Sequence, residues 1–199
     1  MTGTYQADPK AQAKILDNYG KLPLSFEANH GQTDGKVKFL SRTSGYTLFL
    51  TSDEAVLSLS GKRTDTKAKI ASAAHTPQSQ AATKAGGVLR MKLKNVSPAA
   101  MVSGTDELAG TSNYFIGNDP AKWRTSVPTY AKVKYEGIYS GIDLVYYGNQ
   151  RQLEYDFIVA PGADPSRIAI NVHGAKGIHR DEHGDLVLKI GNSNGPAGW

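Results

Sequence analysis

The segment IDLVYYGNQRQLEYDFIV, Ile142–Val159, gives the strongest indication of the fold. Apolar residues recur at every second position in both halves, which is typical of β-strands because successive side chains point to opposite faces. Gly148 and Asn149 stand between the halves and suit the positive φ angles of a tight turn. The stretch therefore predicts a β-hairpin that is central to the fold, with Ile142, Leu144 and Tyr146 on one face and Asp143, Val145 and Tyr147 on the other.

The same period of two recurs along most of the chain. It is seen in LSFEAN, KVKFLSRT, YTLFLT, AVLSLS, VLRMKLKNV, AMVSG, NYFIG, TYAKVKYEG, RIAINVHG and GIHRDEHGDLVLKIG. Residues 1–21 differ, because Asp8 and Pro9 precede good helix formers and predict one short N-terminal helix. About a dozen short strands with one helix predict an all-β protein, an antiparallel β-sandwich or a barrel-like domain.

Domain organisation follows from composition. Residues 22–190 are predicted to form a single β-domain, interrupted at 61–87 by a basic segment rich in Ala, Ser, Thr, Gln and Lys, and followed by a flexible tail at 191–199. The interrupting segment has five basic residues and one acidic residue, a net of +4 out of the formal +5 of the whole chain. Because it has almost nothing to bury, it is interpreted as a disordered linker, and no nucleic-acid partner is predicted.

Several classes of protein are disfavoured by composition alone. The chain has no cysteine, which excludes disulfides, thiolate catalysis and zinc sites built on sulfur. No window approaches the roughly 18 apolar residues of a membrane helix, so no membrane insertion is predicted. The N-terminal residues lack the apolar segment of a secretory signal.

The hairpin carries the strongest candidate for catalysis. Glu154 and Asp156 are same-face neighbours about 7 Å apart at Cα, a spacing compatible with carboxylate chemistry on glycosides, and Asp143 is on the partner strand. Val159 occupies the place of the third acid in a known Glu-x-Asp-x-x-Glu glycosidase pattern. The simpler interpretation is a solvated acidic face on a strand whose other face is packed.

Two further candidates come from polar loops. His30, with Asp34 nearby and Ser25 or Ser112 from elsewhere, could contribute to a Ser-His-Asp arrangement, although a polar turn explains the same residues. In HRDEHGD, Asp181, His183 and Asp185 could hold calcium, since hard cations prefer clustered oxygens. A hairpin turn that needs no ion is the alternative for that segment.

Aromatic residues suggest a binding surface. Trp123, Tyr146, Tyr147 and Tyr155 are candidates for stacking against a sugar ring or a small apolar ligand. Strand alternation places Tyr146 and Tyr147 on opposite faces, so at least one of them is predicted to be in the core.

Three segments together resemble a known bacterial domain: PLSFEANHGQTDGKVKFLSRTSGYTLFLT, SNYFIGNDPAKWRTSVPTYAKVKYEGIYSGIDLVYYGNQRQLEYDFIVAPGADPSRI and DEHGDLVL. They look like the N-terminal domain that precedes β-propeller-type (SBBP) repeats in large bacterial surface or secreted proteins. The resemblance runs from about Leu22 to Ile190 and implies a location outside the cell or on its surface. Because those proteins have an export signal and repeats, it also suggests a severed or free-standing module.

Two functions are weighed on this basis. The first is a non-catalytic extracellular or cell-surface β-domain for recognition or structural capping, with a glycan or small-molecule ligand. The alternative is a calcium-dependent hydrolase that acts on a small ester, a lactone such as an acyl lactone, or a glycoside.

Overall fold

The computed structural model describes residues 24–43, 45–60, 86–149 and 152–190. The predicted helix at 1–21 and the predicted tail at 191–199 lie outside these residues, as does the predicted linker apart from residues 86 and 87. Within the described ranges, no helical segment is long and apolar enough to cross a membrane.

Twelve strands form in the described part of the chain. They are β1 (Phe26–Ala28), β2 (Phe39–Arg42), β3 (Tyr46–Leu50), β4 (Glu54–Leu59), β5 (Val88–Leu93), β6 (Met101–Tyr114), β7 (Arg124–Tyr139), β8 (Ile142–Asn149), β9 (Gln152–Val159), β10 (Ile170–His173), β11 (Ala175–Arg180) and β12 (Leu186–Ile190). Two single 3-10 turns, Pro120–Lys122 and Pro165–Arg167, each follow an aspartate whose carboxylate accepts a hydrogen bond from the turn backbone.

Ten of these strands form one antiparallel sheet that branches at β7. One edge of β7 pairs with β6 along most of its length. Its other edge is divided: β1 pairs with Thr129 and Tyr130, and β8 pairs between Lys132 and Tyr139. From β1 the sheet continues through β2, β3, β4 and β5 to β10, and these six strands are called the first wing. From β8 it continues to β9, and these two strands are called the second wing.

The two wings pack against each other through their apolar faces, with β7 between them. The buried cluster contains Leu24, Phe26, Phe39, Leu48, Leu50, Ala55, Leu93, Val133, Tyr135, Ile138, Tyr139, Ile142, Leu144 and Tyr146. Burying a side chain of this size contributes about 1.5–3 kcal/mol relative to exposing it, so the cluster is the main source of stability. β11 and β12 form a separate two-stranded sheet.

This architecture confirms the predicted all-β, antiparallel, sandwich or barrel-like fold of about a dozen strands. The hairpin also forms: β8 and β9 pair from Ile142 opposite Val159 to Asn149 opposite Gln152. The prediction that Gly148 and Asn149 form its turn with positive φ angles is wrong, because both residues belong to β8, pair with β9 and have no positive φ. The alternation in β8 is as expected, because Ile142, Leu144 and Tyr146 are buried while the intervening residues are partly exposed.

The hairpin of β6 and β7 differs from the sequence-based prediction. AMVSG and NYFIG are predicted as two short strands, whereas the structure has one long strand, β6 (Met101–Tyr114), which contains most of AMVSG and ends within NYFIG. The polar middle of β6 lacks an apolar period, but β7 supplies backbone partners along it, with a shift of register between Glu107 and Thr111. Backbone pairing to a long neighbour therefore outweighs the weak pattern.

Candidate functional site

A cavity lies between the two wings. It has a volume of about 380 Å³ and is lined by Tyr46, Ala55, Leu57, Met91, Tyr146, Gln152, Leu153 and Tyr155. These residues come from β3, β4 and β5 of the first wing and from β8 and β9 of the second. We call this cavity the inter-wing pocket. Its lining is mostly apolar, with a few polar groups, as in sites that bind small molecules.

Strand alternation explains why these side chains converge. Tyr46 precedes the buried Leu48 and Leu50 at alternate positions of β3, and Tyr146 follows the buried Leu144 on β8. Tyr146 is opposite Tyr155 in the β8–β9 register, so both point to the inside of the sandwich. The pocket is therefore a continuation of the core toward one end of the two wings.

A row of aromatic rings runs from the core into the pocket. The ring centroids of Tyr135 and Tyr146 are 5.8 Å apart, and those of Tyr146 and Tyr155 are 5.7 Å apart. Tyr155 also contacts Phe157 edge to face at 6.0 Å. Exposure rises along the row, from 1% at Tyr135 and 4% at Tyr146 to 38% at Tyr155. Tyr155 is thus the ring that a ligand entering from solvent meets first.

The tyrosines of the pocket stay protonated in ordinary buffers. Burial raises the pKa of Tyr146 and of Tyr155, because the low-dielectric interior disfavours the phenolate. Burial also raises the pKa of Tyr46, and the N–H of Leu153 partly offsets that increase. The Tyr46 hydroxyl is buried and has no hydrogen-bond partner of normal geometry within the described ranges. It can donate one to a ligand that enters the pocket.

The predicted catalytic acids lie elsewhere, on the outer face of the second wing. Glu154 and Asp156 flank Tyr147, because Tyr147 is opposite Glu154 and Val145 is opposite Asp156. The Tyr147 hydroxyl donates a 2.9 Å hydrogen bond to Asp156, and the Asn149 side-chain amide donates a 2.9 Å bond to Glu154. Hydrogen bonds to Asp156 and Glu154 raise the pKa of Tyr147 to about 12. These groups form a polar surface on the side of the sheet that faces away from the pocket.

Asp143 has a structural explanation. Its carboxylate accepts a 2.7 Å hydrogen bond from the N–H of Gly137 and lies 2.9 Å from the ammonium of Lys134. Gly137 has a φ of 62° and lies where β7 bulges, between Tyr135 and Tyr139 in the pairing with β8. The Gly137 N–H and then Lys134 hold the pKa of Asp143 below its usual value. Asp143 therefore closes a β-bulge.

His30 lies in an exposed loop between β1 and β2. Its backbone N–H donates to the Gln32 side chain and its carbonyl accepts a 2.9 Å bond from Arg124. The Asn29 side-chain amide donates to the carbonyls of Asp34 and Val37, which closes the loop. No hydrogen bond joins the His30 imidazole to Asp34, Ser25 or Ser112 within the described ranges. The turn interpretation of this segment thus accounts for the observed contacts.

The predicted calcium ligands form a hairpin turn between β11 and β12. The Asp181 carboxylate accepts hydrogen bonds from the backbone N–H groups of His183, at 3.0 Å, and Asp185, at 2.8 Å. In the part of the chain that the structure describes, no three His, Asp or Glu side chains are grouped so as to hold a metal ion. The hairpin-turn alternative accounts for these contacts, and calcium binding by Asp181, His183 and Asp185 stays a prediction.

The predicted ligand-binding aromatics divide among three places. Tyr146 and Tyr155 line the inter-wing pocket, while Tyr147 is on the outer face of the second wing. Trp123 lies in the β6–β7 connection, where its ring packs against Phe115 at 5.2 Å and its indole N–H donates to the Gly117 carbonyl.

Sequence reasoning missed the remainder of the pocket lining. Tyr46, Leu57 and Met91 each occupy an inward position of a correctly predicted strand. The alternation shows that they face the core, but only the topology shows which of them meet Tyr146 and Tyr155. Leu153 follows the same alternation, whereas alternation places Gln152 on the face of Glu154 and Asp156, so only the structure shows that Gln152 lines the pocket.

Comparison with known proteins identifies the family of this chain. The family described as "Domain of unknown function (DUF7948)" matches residues 26–194. No curated protein and no solved structure matches the chain. The matched range includes all twelve strands and every residue of the inter-wing pocket. The chain therefore belongs to the DUF7948 domain family.

Proposed function

We propose that this domain is a non-catalytic recognition module that binds a small ligand with a flat apolar face, such as a sugar ring or an aryl group, in the inter-wing pocket. The observation that carries the proposal is the convergence of Tyr46, Tyr146 and Tyr155 on a cavity of about 380 Å³. Ligand sites in proteins have volumes of roughly 300–1,000 Å³ and combine apolar walls with a few polar groups.

The chemistry of the lining supports this class of ligand. Leu57, Met91 and Leu153 supply apolar walls, and the partly exposed ring of Tyr155 supplies a stacking surface at the rim. Polar contacts come from Gln152 and from the buried hydroxyl of Tyr46. Among the described lining residues there is no carboxylate and no cation, so a neutral ligand fits the pocket best.

The location of the protein is part of the same proposal. The resemblance to domains that precede SBBP repeats supports a place outside the cell or on its surface. A recognition role suits a protein in that location. The pocket is formed by sheet residues that the buried core holds in place.

The hydrolase alternative has no observation in its favour. Glu154, Asp156 and Asp143 lie on the outer face, and their carboxylates accept hydrogen bonds from Asn149, Tyr147 and Gly137. A pair of catalytic acids flanks its substrate, whereas these acids lie along an open face.

Binding of 4-nitrophenyl β-glucoside, which has both a sugar ring and an aryl ring, tests the proposal. Saturation-transfer NMR should show contact with the glucoside, and Tyr155→Ala should weaken binding roughly 5- to 10-fold through loss of the stacking surface. Tyr155 is 38% exposed, so its removal leaves the buried core in place.

Tyr147→Ala is the matched control, because Tyr147 is a tyrosine of the same hairpin on the opposite face. It should bind the glucoside as the unmodified chain does, and Gln152→Ala should weaken binding at the rim. Equal weakening by Tyr155→Ala and Tyr147→Ala would contradict the proposed site, as would the absence of binding to glycosides and to simple aryl compounds alike.

A further inference from the structure

The outer edge of β9 is open in the described part of the chain. β9 spans Gln152–Val159 and pairs along its whole length with β8, which is its one neighbour in the sheet. In an antiparallel pair, every second backbone N–H and C=O of a strand points away from its partner. Apart from the Leu153 N–H, which interacts with the Tyr46 hydroxyl, β9 therefore presents backbone donors and acceptors that can template another strand.

Side chains along this edge are unusually apolar for a solvent-exposed strand. Tyr155 is 38% exposed, Ile158 54% and Val159 38%. The inward positions of β9, from Leu153 through Tyr155 and Phe157 to Val159, pack on the edge of the core with less cover than the corresponding positions of β8. A neighbouring strand with apolar inward side chains would complete that cover.

The outward side chains of β9 indicate which charges would be favourable on a neighbouring strand. Glu154 and Asp156 are on the same face, and in the described ranges no Lys, Arg or His nitrogen lies within 4 Å of either carboxylate. Their hydrogen-bond donors, Asn149 and Tyr147, are uncharged. Cationic side chains directly across from these acids would be favourable, and anionic ones unfavourable.

The first wing contains an internal example of such pairing. On β4, Glu54 lies 3.1 Å from the guanidinium of Arg90 on β5, and Asp53 just before β4 lies 3.5 Å from Lys92. β5 alternates these cations with Leu89, Met91 and Leu93. An acidic face in this fold is thus already matched by a strand that alternates apolar and basic residues.

A second copy of β9 does not have the basic side chains that would match Glu154 and Asp156. Antiparallel self-pairing centred on Tyr155 puts Glu154 opposite Asp156, and pairing centred on Asp156 puts the two Asp156 residues opposite each other. These two registers pair the most residues, and both place like charges across the ladder, which is destabilising.

We propose that β9 binds an extended segment of another protein by strand addition, and that this segment alternates apolar residues, directed toward Tyr155 and Phe157, with Lys or Arg, directed toward Glu154 and Asp156. The inference is argued from the β9 edge and does not require the small ligand, although Tyr155 belongs to both sites. Backbone hydrogen bonds to the β9 edge give affinity, and the alternation gives register and specificity.

A capped eight-residue peptide that alternates Val with Lys is the probe. Amide hydrogen exchange of the full chain should show fast exchange at alternate β9 amides without peptide and slowed exchange with it. The same peptide with Glu in place of Lys should bind at least about 10-fold more weakly, since two favourable pairs become two repulsions.

Charge reversal on the protein gives the matched comparison. The double variant Glu154→Lys with Asp156→Lys should prefer the Glu peptide, whereas Glu107→Lys with Glu182→Lys, two exposed acids elsewhere, should keep the preference for the Lys peptide. Equal behaviour of the two double variants would overturn the proposal, because it would show attraction to net charge alone. Slow exchange of β9 in the free chain would also overturn it: if independent of protein concentration, another segment of the chain covers the edge, and if dependent on it, a second copy does.

Discussion

At the scale of single residues, Tyr135 shows how a buried polar group supports the sandwich. It is 1% exposed, and its hydroxyl donates a 2.6 Å hydrogen bond to the carbonyl of Thr51 across the core. Burial raises the pKa of Tyr135 well above the ordinary value, so the hydroxyl keeps the proton that it donates. Thr51 lies between β3 and β4, and the bond therefore ties β7 to a turn of the first wing.

We expect Tyr135→Phe to lower the free energy of unfolding by about 1–3 kcal/mol, because the Thr51 carbonyl is left buried without its donor. Urea denaturation measures this loss. The control is Tyr147→Phe, which removes a hydroxyl on the outer face and should change stability by less than about 0.5 kcal/mol. Equal losses in the two variants would show that the Thr51 hydrogen bond is not what matters at Tyr135.

Two substitutions of Asp143 separate the hydrogen bond that its carboxylate accepts from Gly137 from the ion pair that it makes with Lys134. Asp143→Asn keeps an oxygen for the Gly137 N–H and loses the charge facing Lys134, whereas Asp143→Ala loses both. Because surface ion pairs contribute little, most of the loss, about 1–2 kcal/mol, should appear in the Ala variant. Similar losses in the two variants would contradict the bulge role of Asp143.

The same residue gives a pH dependence with a definite sign. The pKa of Asp143 is lowered in the folded chain, so its stabilising contribution is present above the unfolded value of about 3.8 and is lost as pH falls through the lower folded value. Urea midpoints measured from pH 6 down to pH 2 should fall less steeply at the acid end for Asp143→Asn than for the unmodified chain. Parallel curves would contradict the assignment.

At the scale of elements, the long hairpin of β6 and β7 depends on a close approach at Gly104. The ring of Tyr130 lies across this glycine, and a Cβ atom added at Gly104 would stand 2.4 Å from two ring carbons. Tyr130 in turn packs edge to face against Phe39 of β2, with centroids 5.8 Å apart. The contact at Gly104 therefore connects β6 to the first wing through an aromatic pair.

Gly104→Ala should destabilise the chain by about 1–3 kcal/mol, because the tyrosine ring must move against packed neighbours. Gly110→Ala on the same strand has nothing within 4 Å of the added methyl group and should stay within about 0.5 kcal/mol of the unmodified chain. Thermal unfolding followed by circular dichroism compares the two. Equal effects would indicate a general cost of alanine in β6.

Elements differ in how well the sequence predicts them. The faces of the β8–β9 hairpin are predicted by its strict period of two. The turn is not where the Gly-Asn pair predicts it, because Gly148 and Asn149 are paired with β9. β6 is predicted only in part, because its middle is polar and its extent is set by β7. Asp106 in that strand even has a φ of 57°, which no apolar pattern would suggest.

At the scale of the whole molecule, the pairing of β4 with β5 bears on the predicted linker. Glu54 to Ser58 pair with Lys92 to Val88, so the strands on either side of residues 61–85 are joined by a continuous ladder. If the basic segment is as accessible as its composition predicts, trypsin should cut first between Lys62 and Lys84, and the two fragments should stay together.

Size-exclusion chromatography followed by denaturing electrophoresis checks this expectation. The nicked protein should elute as the intact chain does and separate into two fragments only after denaturation. Early cuts elsewhere, or fragments that separate without denaturant, would contradict it.

The candidate site was predictable only in its local part. The alternation in the hairpin assigns Tyr146 and Tyr155 to the inward face and Glu154 and Asp156 to the outward face. It does not show that Tyr46 lies across from them, because that contact joins residues about a hundred positions apart in sequence and depends on how the sheet branches. The spacing of Glu154 and Asp156 suggests catalysis in the sequence, but the fold places both acids away from the cavity.

The position of β7 has a mechanical consequence. Its backbone is paired with β6 on one edge and with β1 and β8 on the other, so neither wing can slide along it without breaking a row of hydrogen bonds. Relative movement of the wings must instead twist or bend β7 itself. A load that pulls the two wings apart would therefore act on β7 as well as on the apolar contacts between the wings, and the width of the gap between the wings would depend on the stiffness of β7.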